Sequence, residues 1–146
     1  MERDLAGFSF PAVSRGIREA LGAGRLSGTG AMTNRPAWRA DARALAADGL
    51  AERAGLHLNL TCGQPLSRMA EFTARGGFPS LGAIIAGARM GRLPRQEIMT
   101  EIAAQLDAFA DALGRAPAFV DGHQHVHALP LVREALFEAL AARGWV

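Results

Sequence analysis

The sequence predicts an α/β chain built on parallel strands, and three observations carry that expectation. Helical and extended patterns alternate along the chain, histidines gather where the predicted strands end, and 49% of the 146 residues are hydrophobic. Alternation of this kind argues for βα units, whose functional residues collect at the carboxyl ends of the strands. The apolar content is enough to fill one core, so a single domain over residues 1–146 is expected.

Each element has a local reason. "PAVSRGIREALGAG" places Pro11 at a helix start, Val13, Ile17 and Leu21 at four-residue intervals, and glycines at its end. "RLSGTGAMT" reads as a weak strand, and "PAWRADARALAADG" as a second helix stopped at Gly49. "AGLHLNLT" alternates, with Leu56, Leu58 and Leu60 on one face and His57, Asn59 and Thr61 on the other, so a strand with a polar face is expected. Residues 62–93 are rich in Gly, Pro and Ser, with one short helix expected around "SLGAIIAGARM"; a connection this long is often functional. "PRQEIMTEIAAQLDAFADALG" carries Ile98, Ile102, Leu106, Phe109 and Leu113 on one helical stripe. "PAFVDGH" reads as a strand, "LPLVREALFEALAARG" as a helix ended by Gly144, and "GWV" as the first residues of a further strand.

Composition removes several function classes. The apolar stretches are too short to cross a bilayer, and "MERDLAGFSF" lacks the order of a signal peptide, so a cytoplasmic protein without a membrane span is expected. The calculated pI near 9.9 suggests nucleic acid at first sight. The net charge is only +2, however, and the sixteen basic residues, all arginines, are scattered among fourteen acids, so no nucleic-acid partner is expected. One cysteine, Cys62, excludes an internal disulfide framework and a thiolate zinc site; its expected role is a small buried residue, with a histidine-paired nucleophile as the alternative. Any metal would be held by His and carboxylate.

The chemistry concentrates in "VDGHQHVHAL". In an extended chain His123, His125 and His127 would point to one side, which suits either a solvent-facing ladder or a metal-binding patch. Asp121, two residues before His123, could ligate directly or fix an imidazole tautomer from behind. His57 alone reads as a hydrogen-bonded structural residue, but its value as a ligand rises beside this second cluster.

Taken together, "SRGIREALGAGRLSGTGAMTN", "AGLHLNLTCGQPLS" and "EIAAQLDAFADALGRAPAFVDGHQHVHALP" resemble the YdjC-type carbohydrate deacetylases, a group that includes chitooligosaccharide deacetylases and a hopanoid-associated branch. The resemblance covers about residues 8–146. It implies a partial TIM-like (β/α) barrel, truncated at both ends, and a divalent metal ion (Mg or Zn) that helps to remove N-acetyl groups from a sugar or glycolipid. It places the metal ligands on His57 and His123, and catalytic or supporting roles on Asp4, Asp121 and His125, with His127 in the same shell.

The N-terminal region departs from the family pattern. Where an "A-D-D" type motif would stand, this chain reads "RDLAGFSFPAV"; with one residue inserted near Phe10, Asp4 matches the first aspartate and the second falls on Leu5, which cannot bind a metal, and without the insertion Leu5 and Ala6 occupy both places. That departure opens the alternative of a catalytically silent domain serving as a binding or assembly module. Strand edges left unpaired by truncation would favour self-association, so a homo-oligomer is expected.

Overall fold

The computed structural model describes residues 11–146. Its elements follow the sequence pattern: α1 (Pro11–Gly22), β1 (Thr29–Ala31), α2 (Trp38–Ala47), β2 (Ala54–Leu58), α3 (Leu81–Arg89), α4 (Arg95–Leu113), β3 (Val120–Gly122) and α5 (Pro130–Ala141). Short 3₁₀ turns stand before β2, at Ala51–Arg53, and after β3, at His123–Ala128.

The strands are parallel and lie in the order β1-β2-β3, with Leu56 opposite Val120 and His57 opposite Asp121. Among the described residues the sheet is therefore open, with β2 in the middle and β1 and β3 as edges. The fold is mixed α/β on a parallel sheet, as expected; closure into a barrel is not seen in these residues. Trp145 and Val146, read as the start of another strand, lie outside any strand.

Local chemistry explains most boundaries. The hydroxyl of Ser80 caps α3 by accepting from the Ala83 N–H, and Gly114 ends α4 in the left-handed conformation (φ 68°). Pro130 occupies the first turn of α5, where its missing N–H costs nothing. Burial then selects the faces. Ile98, Ile102, Leu106 and Phe109 of α4 pack into one core with Leu56 and Leu58 of the middle strand and Leu60 just after it, Ile17 and Leu21 of α1, and Leu45 of α2. Trp38 stacks on Phe109 at 5.4 Å and donates to the Ala108 carbonyl, so a single side chain docks α2 onto α4 by area and by direction.

This packing sharpens one expectation and corrects another. β2 has no solvent-facing polar side: all five of its residues are buried, and His57 and Asn59 are as enclosed as the leucines between them. Alternation reports which side chains share a face, and a middle strand of a parallel sheet covered by helices buries both. Cys62 is exposed rather than buried, because it lies in the loop beyond the strand, where its Sγ meets only the Arg35 guanidinium at 3.7 Å.

Candidate functional site

The site forms where the carboxyl ends of β2 and β3 meet. Because His57 pairs in register with Asp121, the two side chains emerge on neighbouring strands, and His57 Nδ1 lies 2.8 Å from Asp121 Oδ1. The carboxylate accepts, so Nδ1 carries the proton and Nε2 is left with its lone pair. Gly30 of β1 makes the space: a Cβ there would stand 3.2 Å from the His57 Cβ and 3.5 Å from Asp121 Oδ1.

His57 Nε2 points to His123 Nδ1 at 3.4 Å, with the rings edge to face. Two nitrogen ligands bound to one tetrahedral ion at the usual lengths stand about 3.3 Å apart. The pair therefore has the spacing of two donors on a single divalent ion, backed by the carboxylate–histidine arrangement common behind metal-binding imidazoles. Among the described residues no group of three His, Cys, Asp or Glu side chains comes together to hold an ion. Two imidazoles are what the described chain offers.

The extended run that would have turned His123, His125 and His127 to one side, as a ladder or a metal patch, is replaced by a turn. Gln124 (φ 52°) and His125 (φ 58°) are both left-handed, the only described non-glycine residues with positive φ. Such backbone is held only where its surroundings demand it. The turn splits the histidines into two pairs: His57 with His123 inside, and His125 with His127 at 6.2 Å on the other flank. His125 is exposed, and His127 packs back on Gly122, where a Cβ would fall 2.6 Å from its Nδ1 and 2.8 Å from its backbone N. Thus the structure brings His57, Asp121 and His123 together and leaves His125 apart. Asp4 lies outside the described residues.

A polar column on α4, missed by a reading that followed only the apolar stripe, supports the strand end. Gln105 is fully buried; its Oε1 accepts from the Asn59 N–H at 3.0 Å and its Nε2 donates to the Asn59 carbonyl at 2.7 Å. The amide thus pairs with the chain just past β2 as another strand would. Asn59 then turns the chain, its Oδ1 accepting from the N–H groups of Thr61 and Cys62. The signal was present in the sequence: Gln105 interrupts the buried face between Ile102 and Leu106 with a polar side chain.

Comparisons with known proteins bear on the family and the fold. The family model for YdjC-like protein matches residues 7–146. A chitooligosaccharide deacetylase of Enterobacter sp. is 37% identical over 130 residues, 88% of this chain and 50% of that protein. A carbohydrate deacetylase of Geobacillus stearothermophilus is 38% identical over 132 residues, 90% of this chain and 51% of that protein. The chain spans about half the length of these curated relatives. A solved structure from Enterococcus faecalis, described as a candidate cellobiose-phosphate cleavage protein, superposes with a TM-score of 0.70 at 24% identity, over 94% of this chain and 53% of that one. At that identity the likeness concerns the fold.

Proposed function

Since the chain belongs to the YdjC-like family, we propose that it is a metal-dependent deacetylase domain that removes N-acetyl groups from a carbohydrate or glycolipid. The observation that carries this reading is the 3.4 Å approach of His57 Nε2 to His123 Nδ1, with Asp121 holding the far side of the His57 ring. The relatives named as carbohydrate and chitooligosaccharide deacetylases support the substrate class.

A divalent ion, Mg or Zn, would be held by these two nitrogens. When bound, it supplies Lewis-acid activation of water and of the amide carbonyl. The chain's own residues do the rest. Asp121 fixes the His57 tautomer, so that Nε2 presents its lone pair, and burial of His57 keeps solvent from competing for it. His125, exposed on the turn that follows His123, is open to proton exchange with solvent; Asp4 is the further acidic group of the reading.

Metal analysis together with acetate release from N-acetylated glycans tests the proposal. Metal content and acetate release that persist unchanged in the His57→Ala, His123→Ala double variant would sink it. A second reading, a silent domain for binding or assembly, draws on the lack of a third clustered ligand among the described residues; bound metal without acetate release would select it.

Cytoplasmic placement and self-association belong to the same proposal. No described helix is long and apolar enough to cross a membrane. Beside the free edge of β3, an apolar cavity of about 520 Å³ lies between α5 and residues 116–120, and Phe137, Phe119 and Val146 are exposed at 58%, 39% and 73%. Light scattering that reported a monomer would remove the oligomer from the reading.

A further inference from the structure

Glu97, Glu101 and Gln105 follow one another at four-residue steps on α4, forming a column beside the apolar one. Each takes hold of main chain in a different part of the connection that leaves β2. Gln105 binds both backbone groups of Asn59. Glu101, fully buried, accepts from the N–H groups of Leu66 and Ser67 and from the Ser67 hydroxyl, at 3.0, 2.7 and 2.7 Å, and from Gln105 Nε2 at 2.8 Å. Glu97 accepts from the N–H groups of Glu71 and Phe72.

A buried carboxylate is costly unless its oxygens are filled, and Glu101 is filled by four donors. What the column holds is almost entirely backbone. The loop's path is therefore set by α4 while several of its side chains stay outside: Leu66 is 45% exposed, Arg68 and Arg75 are exposed, and exposed Glu71 and Arg75 share a cavity of about 640 Å³ with the buried Phe72 and the half-buried Phe78. Rigid backbone with free side chains is the arrangement that binding loops use on a scaffold. A cavity of this size is in the range of small-ligand sites.

We propose that Gln105 and Glu101 are positioning residues with separate targets: Gln105 fixes the strand end that carries His57, and Glu101 fixes residues 66–67, the part of the loop that leads into the cavity-lining residues 71–72 held by Glu97, as the surface that reads the sugar. The sugar arm rests on the deacetylase reading; the strand-end arm needs only the histidine pair. Gln105 acts two residues from His57, so its loss moves the imidazole. Glu101 acts on residues beyond the turn at Asn59, so its loss moves the loop.

The test uses the full chain, with Co²⁺ as the metal probe and N,N′-diacetylchitobiose as the sugar probe, each titrated calorimetrically well below the melting temperature. Gln105→Leu, which keeps the volume and removes all three amide bonds, two to Asn59 and one to Glu101, is expected to weaken Co²⁺ binding by about tenfold or more. If that variant does not fold, Gln105→Met, which keeps the length of the side chain and adds no second carboxylate beside Glu101, is expected to weaken Co²⁺ in the same direction. Glu101→Gln is expected to leave Co²⁺ affinity within about twofold and to weaken disaccharide binding by about tenfold, since one amide nitrogen cannot accept what a carboxylate oxygen accepted. Ser67→Ala, which removes a single donor to Glu101, should shift the disaccharide alone and by less.

Falls in melting temperature with both constants unchanged would overturn the proposal, as would both variants shifting both constants alike. Wild-type chain that binds no disaccharide overturns the Glu101 assignment. Wild-type chain that binds Co²⁺ and disaccharide but releases no acetate overturns the deacetylase reading and leaves both positioning assignments standing.

Discussion

The two strands that build the histidine site are made differently. β2 lies in the middle of the sheet, with every residue buried, and the chain just beyond it is paired by the Gln105 amide. Among the described residues β3 is an edge strand of three residues; it runs at once into a turn with two consecutive left-handed residues, and the buried Nδ1 of His127 has no hydrogen-bond partner among them. One half of the site is held by burial and satisfied hydrogen bonds, the other by a strained turn. They are interlocked through Asp121, since the edge strand supplies the carboxylate that fixes the tautomer of the central histidine.

The largest test of this contrast removes the central half. His57→Ala should abolish acetate release and weaken Co²⁺ by more than about a hundredfold, because it deletes a donor rather than a donor's support. Asp121→Asn should act on the same metal affinity more mildly, by roughly tenfold to a hundredfold, since the neutral amide can still accept from Nδ1–H but no longer raises the ring's basicity. Equal effects from the two variants would show that Asp121 does more than orient His57.

Hydrogen exchange reads the contrast without substitution. Amides of residues 56–60 should exchange on the slow, global scale, and those of 123–127 much faster through local opening. Similar protection at both ends would mean that the turn is as firmly held as the middle strand. Relief of the turn is a smaller effect: Gln124→Gly or His125→Gly should raise stability by about 0.5–1 kcal/mol in denaturant unfolding, because glycine occupies φ near +55° without the steric cost. A loss of stability of that size would place the turn's support in the side chains replaced.

The smallest effect lies away from both strands. Asp41 of α2 is buried against α1, and burial raises its carboxyl above the ordinary range, against the opposing pull of the Ser14 hydroxyl and the Arg18 charge. The folded state then holds a proton that the unfolded state has released, so stability falls as pH rises from about 4 through the raised value. Asp41→Asn should be more stable than the parent at neutral pH and flatter in its dependence on acid. Unchanged pH dependence in thermal melts would remove Asp41 as the cause.

Much of the molecule was legible because its signals are local. The α4 stripe, the glycine stops and the histidine-bearing strand ends all came from spacing and turn chemistry, and helices and strands followed within a few residues. The errors share a cause. The polar face of His57 and Asn59 was legible but its burial was not, and His123, His125 and His127 were read on an extended chain, as a ladder or a metal patch, because alternation gives the side of a strand but neither what covers it nor where the strand stops. Cys62 was placed inside by residue type, while its loop position put it outside. Gln105 and Glu101 sat in plain sight on a strong helix, yet their partners lie 46 and 34–35 positions away in the chain.

By itself, then, the sequence determined the element order, the apolar stripes, the family resemblance and the residue types at the strand ends, since each depends on neighbours within a few positions. Only the tertiary structure decided that Asp121 serves His57, that the histidines divide into two pairs, and that α4 grips the chain leaving β2. Those facts depend on sheet register and on a two-residue change of backbone hand, both set by packing between segments far apart in sequence.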